Sequence, residues 1–144
     1  MHEELENLLK DLEQRALILP GSSGITALSA AGIQAHMGVL ADPNSQMHSQ
    51  SSQHHLLGLP TLIKSRLNKN ALENIHGPRL YLPGSPVYPI AHWFDKELNS
   101  NGPHIEEGLN VLHLLAHFCG MMGCSPIIFV GLDLAYTNDE AYSD

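Results

Sequence analysis

Short, continuous apolar runs separated by helical patterns are the feature that most narrows the folds open to this chain. The runs span 16–20, 36–41, 59–63, 79–82 and 127–130. Continuous rather than alternating apolar strands are typical of a parallel sheet with helices on both faces. Strands that alternate with helices along the chain favour the same arrangement. The sequence therefore predicts an α/β fold with a mainly parallel sheet of about five strands.

Helical patterns fill most of the spaces between these runs. The predicted helices span 3–14, 23–31, 68–75 and 105–122. The first has leucines at i, i+3, i+4 and i+7, and the last is apolar nearly all round, which predicts a central helix. The polar stretch 45–55 fits either a weak helix or a surface loop.

The segment 83–104 interrupts this order and is rich in proline and glycine. Long irregular segments in compact domains are often functional, so Tyr88, Trp93 and Phe94 could belong to a lid over a ligand. The alternative is that Trp93 and Phe94 anchor a short helix, at about 89–98, to the core. We favour the anchored helix.

Composition excludes several classes of partner. The chain of 144 residues has a net charge of −8 and seven Lys and Arg residues. Binding to nucleic acid or to an anionic membrane depends on clustered cations, so neither is predicted. No apolar run approaches the ~20 residues that span a bilayer, and the acidic N-terminus is unlike a signal peptide. Cys119 and Cys124 are interpreted as reduced, buried thiols of a cytoplasmic protein rather than as a disulfide framework.

Two acids directly follow predicted strands. Asp42 follows 36–41 and Asp133 follows 127–130, with Gly131 between. Ligands of open α/β sheets lie outside the carboxyl ends of the strands, so both acids are candidate site residues. The alternative is that each only caps a helix or a turn, as Asp often does.

Two further motifs have a structural explanation that we favour. The turn "LPGSSGI" (19–25) could hold a phosphate on its backbone amides, but an N-cap at Ser22 or Ser23 fits better. His113 and His117 lie one helical turn apart near Cys119 and Cys124, which could suggest zinc. Their spacing fits no common zinc pattern, so two hydrogen-bonded histidines on a buried helix are favoured.

Two blocks of sequence resemble one known family. "ALSAAGIQAHMGVLADPN" (27–44) and "GCSPIIFVGLDLAYTND" (123–139) are similar to signature blocks of the Maf and MptE-like proteins. Maf proteins are flagellar motility accessory factors, and MptE proteins are archaeal 6-hydroxymethylpterin diphosphokinases. The resemblance runs in order along most of the chain and is strongest in the second block.

The resemblance implies a single three-layer, Rossmann-like domain and a nucleotide or nucleotide-sugar at the carboxyl edge of its sheet. The matching positions are Asp42, Gly131, Asp133 and Tyr136, with Thr137 extending the block. We add Ser22, in the glycine-rich turn, and Asn110, in the stretch "EGLNV", as candidate binding residues. No residue stands out as a general base.

The family resemblance leaves three functions open. A Maf-like transferase would move a nonulosonic sugar from a CMP-sugar to Ser or Thr of a flagellin-like protein, and this reading is preferred. An MptE-like enzyme would transfer diphosphate from ATP, with Asp42 and Asp133 as magnesium ligands. A non-catalytic module would only bind a nucleotide or a protein.

Departures from the family pattern support the third function. Family members usually open with a strand and a "G.GPSL" turn before the first helix, whereas this chain begins at that helix. We therefore expect 1–144 to be a fragment of a longer family domain.

Overall fold

A three-stranded parallel sheet organises the fold. The structure is a computed structural model. It describes residues 3–41, 58–83, 89–100, 102, 105 and 110–132. Strands β1 (Gly38–Leu40), β2 (Thr61–Ile63) and β3 (Arg79–Tyr81) lie in the order β1-β2-β3. Leu62, at the centre, is paired with Val39 on one side and Leu80 on the other. The α/β class and the parallel sheet are thus confirmed.

Five helices accompany these strands in the described part of the chain. They are α1 (Glu3–Leu12), α2 (Ser22–Ala30), α3 (Lys69–Glu73), α4 (Pro89–Glu97) and α5 (Val111–Met121). Asparagine caps begin two of them: the side chain of Asn68 accepts from Asn70 N, and that of Asn110 from Leu112 N and His113 N. These caps satisfy amide groups that a helix leaves unpaired in its first turn. No helix among the described residues is long and apolar enough to cross a membrane.

Helical segments cover both faces of β1. Val39 and Leu40 are 0% and 1% exposed, and successive strand residues point to opposite faces. Val39 belongs to a cluster with Leu114 of α5, whereas Leu40 belongs to one with Ile25 of α2 and Ile75. The core therefore lies on either side of the sheet.

Two predicted strands are not strands in the structure. Segment 16–20 runs beside the residues before β1, where His36 N donates to Ile18 O at 2.9 Å. The reciprocal position is taken by a side chain, because Ile18 N donates to Nδ1 of His36 at 3.1 Å. Pro20 has no N–H with which to extend a ladder. The prediction of a strand at 16–20 is therefore wrong.

Segment 127–130 is also described without strand pairing. Its side chains are exposed, with Ile128 75% and Phe129 49% accessible. A continuous apolar run indicates that a segment favours burial, but a strand also needs a neighbour to pair with. The five-strand sheet is thus not confirmed.

Helices α4 and α5 differ in detail from their predictions. Helix α4 confirms the short helix at about 89–98, but Ala91 and Asp95 are its buried residues. Trp93 and Phe94 are 52% and 50% exposed and stack edge-to-face on each other, with ring centroids 4.9 Å apart. The expected aromatic anchor is therefore wrong. Helix α5 begins at Val111 rather than near residue 105, and it is buried on one side rather than all round.

Candidate functional site

The carboxyl ends of the three parallel strands define the candidate site. The chain leaves β1 through Ala41, β2 through Lys64 and β3 through Leu82, all of which are buried. Leu82 N donates to Ile63 O at 3.0 Å, so the strand ends stay in register at this edge. Ligands of parallel α/β sheets bind outside this edge.

Lys64 places a cation at the end of the central strand. It is 3% exposed, and its Nζ lies 3.4 Å from Pro83 O and 3.4 Å from Ile105 O. These carbonyls belong to the segment after β3 and to the segment before α5. A buried ammonium requires hydrogen-bonding partners, so Lys64 holds both segments against the end of β2.

Two cationic residues lie at this edge of the sheet. Of the seven Lys and Arg residues, four lie between residues 64 and 79, but Arg79 begins β3 at the opposite edge and Lys69 pairs with Glu73 on α3. Two of them, Lys64 and Arg66, follow β2 at the carboxyl edge. In a chain of net charge −8, this local excess favours an anionic ligand at the edge.

Tyr81, the last residue of β3, binds the neighbouring helix through a short hydrogen bond. Its hydroxyl donates to Oδ1 of Asp95 at 2.5 Å, and Asp95 is 5% exposed. Burial and the bond to Asp95 raise the pKa of Tyr81 to about 12, while a hydrogen bond with Ser65 acts in the opposite direction. Tyr81 therefore keeps its proton at neutral pH and does not serve as a base.

The N-terminal ends of two helices meet near the same edge. A Cβ placed on Gly21 would lie 3.4 Å from Cγ1 of Val111, so the starts of α2 and α5 are adjacent. Helix α2 ends at Ala30 and the chain then enters β1 at Gly38. The C-terminal end of α2 thus lies toward the amino end of β1, and its start lies toward the carboxyl edge. Helix starts present amide groups and partial positive charge, which favour anions.

The structure corrects one cap and explains another. Gly21, not Ser22 or Ser23, is the N-cap of α2, and it makes no side-chain cap bond. Ser22 is the first residue of that helix. Oδ1 of Asn110 is engaged as the cap of α5 at 3.0 and 3.2 Å. The cap explains Asn110 structurally, and its predicted role toward a nucleotide stays a prediction.

Of the four positions of the family signature, one lies among the described residues and three do not. Gly131 lies in the described chain at φ +68°, where a side chain would be strained, and it turns the chain immediately after 127–130. Asp42, Asp133 and Tyr136 lie outside the described residues. Whether the two acids meet at one edge is therefore still a prediction.

The zinc alternative finds no support in the described part of the chain. No group of three or more His, Cys, Asp or Glu side chains there could hold a metal ion. Both histidines, His113 and His117, are exposed on α5, whereas Cys119 is buried. The favoured burial of the two histidines is therefore wrong as well, because both rings lie on the solvent side.

Sequence reasoning missed Lys64, Tyr81 and Asp95. Lys64 carries the same signal as Asp42 and Asp133, a charged residue directly after an apolar strand, and that signal could have identified it. Nothing in the sequence pairs Tyr81 with Asp95, which lie 14 positions apart. Their contact depends on how α4 packs.

The fold defines a class of protein, an α/β domain with a small parallel sheet. A family model described as "6-hydroxymethylpterin diphosphokinase MptE-like" matches residues 1–139. The chain belongs to this family. Neither the comparison with curated proteins nor that with solved structures gave a match.

Proposed function

We propose that this protein is a transferase that uses a phosphate-linked nucleotide donor and moves diphosphate from ATP to the hydroxymethyl group of a pterin. The observation that carries the proposal is the match to the MptE-like family over residues 1–139. The cations and helix starts at the carboxyl edge support an anionic donor there. In this proposal the chain is a Rossmann-like domain.

The proposed reaction sets clear demands on the site. The hydroxyl oxygen of the acceptor attacks the β-phosphorus of ATP, the bond to the oxygen of the α-phosphate breaks, and AMP leaves. The acceptor proton passes to a base, for which no residue is assigned. Charge develops on the phosphate oxygens during transfer, and fixed positive groups stabilise it.

The residues of the chain would share this work as follows. The start of α2, whose N-cap makes no side-chain bond, directs amide groups at the donor phosphates, and Lys64 raises the local potential while it orders the walls of the site. Tyr81 and Asp95 hold α4 beside the edge. Gly131 turns the signature block toward the donor, with Tyr136 as a further contact.

Two acidic residues are the magnesium ligands in this proposal. Asp42 and Asp133 have carboxylate oxygens of the kind that magnesium prefers, and the ion would bridge donor phosphates. The described residues supply no further group of ligands. The two acids are therefore the proposed magnesium ligands.

A Maf-like sugar transfer is the second candidate. The block 123–139 resembles Maf proteins as well as MptE-like ones, and both use the same edge for a nucleotide-linked donor. In this case CMP would be the leaving group and a flagellin-like Ser or Thr the acceptor. The family match favours diphosphate transfer over this reaction.

Donor binding distinguishes the candidates. Ligand at about 100 times its Kd adds ~2.7 kcal/mol, or roughly 2–8 °C in Tm for a domain near this size. We expect ATP with magnesium to raise Tm and CMP to have no effect. The opposite result would support sugar transfer, and no shift with either ligand would favour a protein-binding module.

Turnover is the direct test. The chain is incubated with ATP, magnesium and 6-hydroxymethylpterin, and AMP is measured. Asp133→Asn should abolish AMP release, while Asp11→Asn, at an exposed position of α1, should leave it unchanged. Equal AMP release by both variants would remove Asp133 from the mechanism.

A further inference from the structure

We propose that Cys119 and Cys124 form an intramolecular thiol–disulfide site that exchanges with small disulfides such as oxidised glutathione. The site lies at the C-terminal end of α5, where the chain turns toward residues 127–132. The proposal is independent of the transferase function. The two residues are the only cysteines of the chain.

The backbone holds the two cysteines together. Helix α5 closes in a Schellman motif, with Met122 as C-cap and Gly123 at φ +79° as the left-handed residue after it. Cys124 N donates to Cys119 O at 3.0 Å, and Gly123 N donates to Gly120 O at 3.0 Å. This pair of bonds defines the motif and fixes the last turn of the helix.

The motif also sets which side chains meet. In a Schellman motif the residue after the left-handed glycine contacts the residue five positions earlier, and this contact is normally apolar. Here both positions are cysteine, and neither is in a disulfide. A disulfide needs two closely spaced backbone positions, and the 3.0 Å bond from Cys124 N to Cys119 O brings the backbones of the two cysteines together.

The two thiols differ in exposure, which assigns their roles. Cys119 is 8% exposed, and burial raises the pKa of its thiol, followed by the effect of Cys124. Cys124 is partly exposed. Since thiolate character and access determine reactivity, Cys124 is the residue that a small disulfide reaches first.

The exchange is balanced in two steps. The Cys124 thiolate attacks one sulfur of glutathione disulfide, releasing a glutathione thiolate and leaving a mixed disulfide. Cys119 then loses its proton and attacks the Cys124 sulfur, releasing the second glutathione thiolate. Two protein thiols are oxidised, one glutathione disulfide is reduced to two thiols, and the two protein protons end on glutathione.

The test measures thiols and intact mass after the folded chain is incubated with glutathione disulfide. We expect both thiols to be lost, the mass to fall by the two thiol hydrogens, and dithiothreitol to restore both. Because the chain has no other cysteine, such a product can only be the Cys119–Cys124 bridge. A final state of stable glutathione adducts, of cross-linked dimers or of two intact thiols would overturn the proposal.

Two controls show whether the fold sets up the reaction. Cys119→Ser and Cys124→Ser should each end as a mixed disulfide or stay reduced, never at the bridged mass. The folded chain and the chain unfolded in guanidinium are then equilibrated with the same ratio of reduced to oxidised glutathione. We expect the ratio of bridged to reduced protein to be at least about ten times higher in the folded chain, because the motif holds the two cysteines together in advance. An equal or lower ratio in the folded chain would show that the motif does not favour the bridge.

Discussion

The hydroxyl of Tyr81 lies 2.5 Å from Oδ1 of Asp95, and this bond joins the end of strand β3 to helix α4. Asp95 is buried, so the contact supplies a hydrogen bond that its carboxylate requires. The bond also places α4 beside the edge at which we propose that the donor binds. Substitutions that remove this hydrogen bond therefore also test how α4 is held beside the proposed site.

Tyr81→Phe should lower the free energy of unfolding by about 1.5–3 kcal/mol, because a buried charged acceptor loses a hydrogen bond. Asp95→Asn should cost less, since its amide oxygen can still accept from the hydroxyl. Urea denaturation of Tyr81→Phe, of Asp95→Ala, which removes the acceptor, and of the double variant of these two gives the coupling between the residues. Additive losses would show that the bond contributes nothing to stability.

The raised pKa of Tyr81 makes stability depend on alkaline pH. Its pKa rises from the ordinary tyrosine value of 10.0 to about 12 in the folded chain. The stabilisation is fully present below pH 10 and is lost as pH rises toward 12, because the unfolded chain releases the proton first. Tyr81 is 38% exposed, so solvent screens its interactions. We therefore expect the free energy of unfolding to fall by only about 1 kcal/mol over this pH range.

The measurement for this second prediction is the difference between wild type and Tyr81→Phe. Other groups that titrate in this range are common to both chains and cancel. The urea midpoint of the wild type should fall more than that of the variant between about pH 9 and about pH 11.5. Parallel pH profiles would contradict the assignment.

Lys64→Met tests the buried cation at the end of β2. The substitution leaves the carbonyls of Pro83 and Ile105 without this donor, so we expect a loss of about 1–3 kcal/mol and weaker binding of ATP with magnesium. Lys69→Met is the matched control, because the Lys69 side chain is 84% exposed and pairs with Glu73 at 3.6 Å on the surface of α3. Such a pair contributes at most about 0.5 kcal/mol. Similar losses in both variants would remove the special role of Lys64.

His36→Ala should destabilise the contact between segment 16–20 and the start of β1. The amide of Ile18 donates to Nδ1 of His36, and its loss leaves a partly buried donor unpaired, which costs roughly 1–2 kcal/mol. His36→Asn places an amide oxygen near the same point and should recover much of this. Urea unfolding compares the two, and equal losses would show that ring packing, not the hydrogen bond, is what matters.

Truncation to alanine should have very different effects at Leu62 and Ile128, although both residues lie in short apolar runs of the sequence. Leu62 is 0% exposed in the central strand, so truncation should cost about 2–5 kcal/mol. Ile128 is 75% exposed, and its truncation should change stability by less than about 0.5 kcal/mol. A large loss at Ile128, measured by urea denaturation, would show that 127–130 is buried in solution.

The sequence by itself determined the α/β class, the three described strands and the approximate positions of all five described helices. These depend on local patterns: apolar runs, leucine spacing, and the alternation of strand-like and helix-like segments. The family was also readable from the sequence, because the blocks at 27–44 and 123–139 resemble it and the family model matches 1–139.

Only the tertiary structure decided which apolar segments join the sheet and which polar groups meet at its edge. Segments 16–20 and 127–130 resemble the true strands in composition, but pairing depends on a neighbour supplied by a distant part of the chain. Tertiary packing likewise brings Lys64 to the carbonyl of Ile105, and Tyr81 to Asp95. A residue pattern encodes what a segment prefers, whereas partners far apart in sequence are chosen by packing.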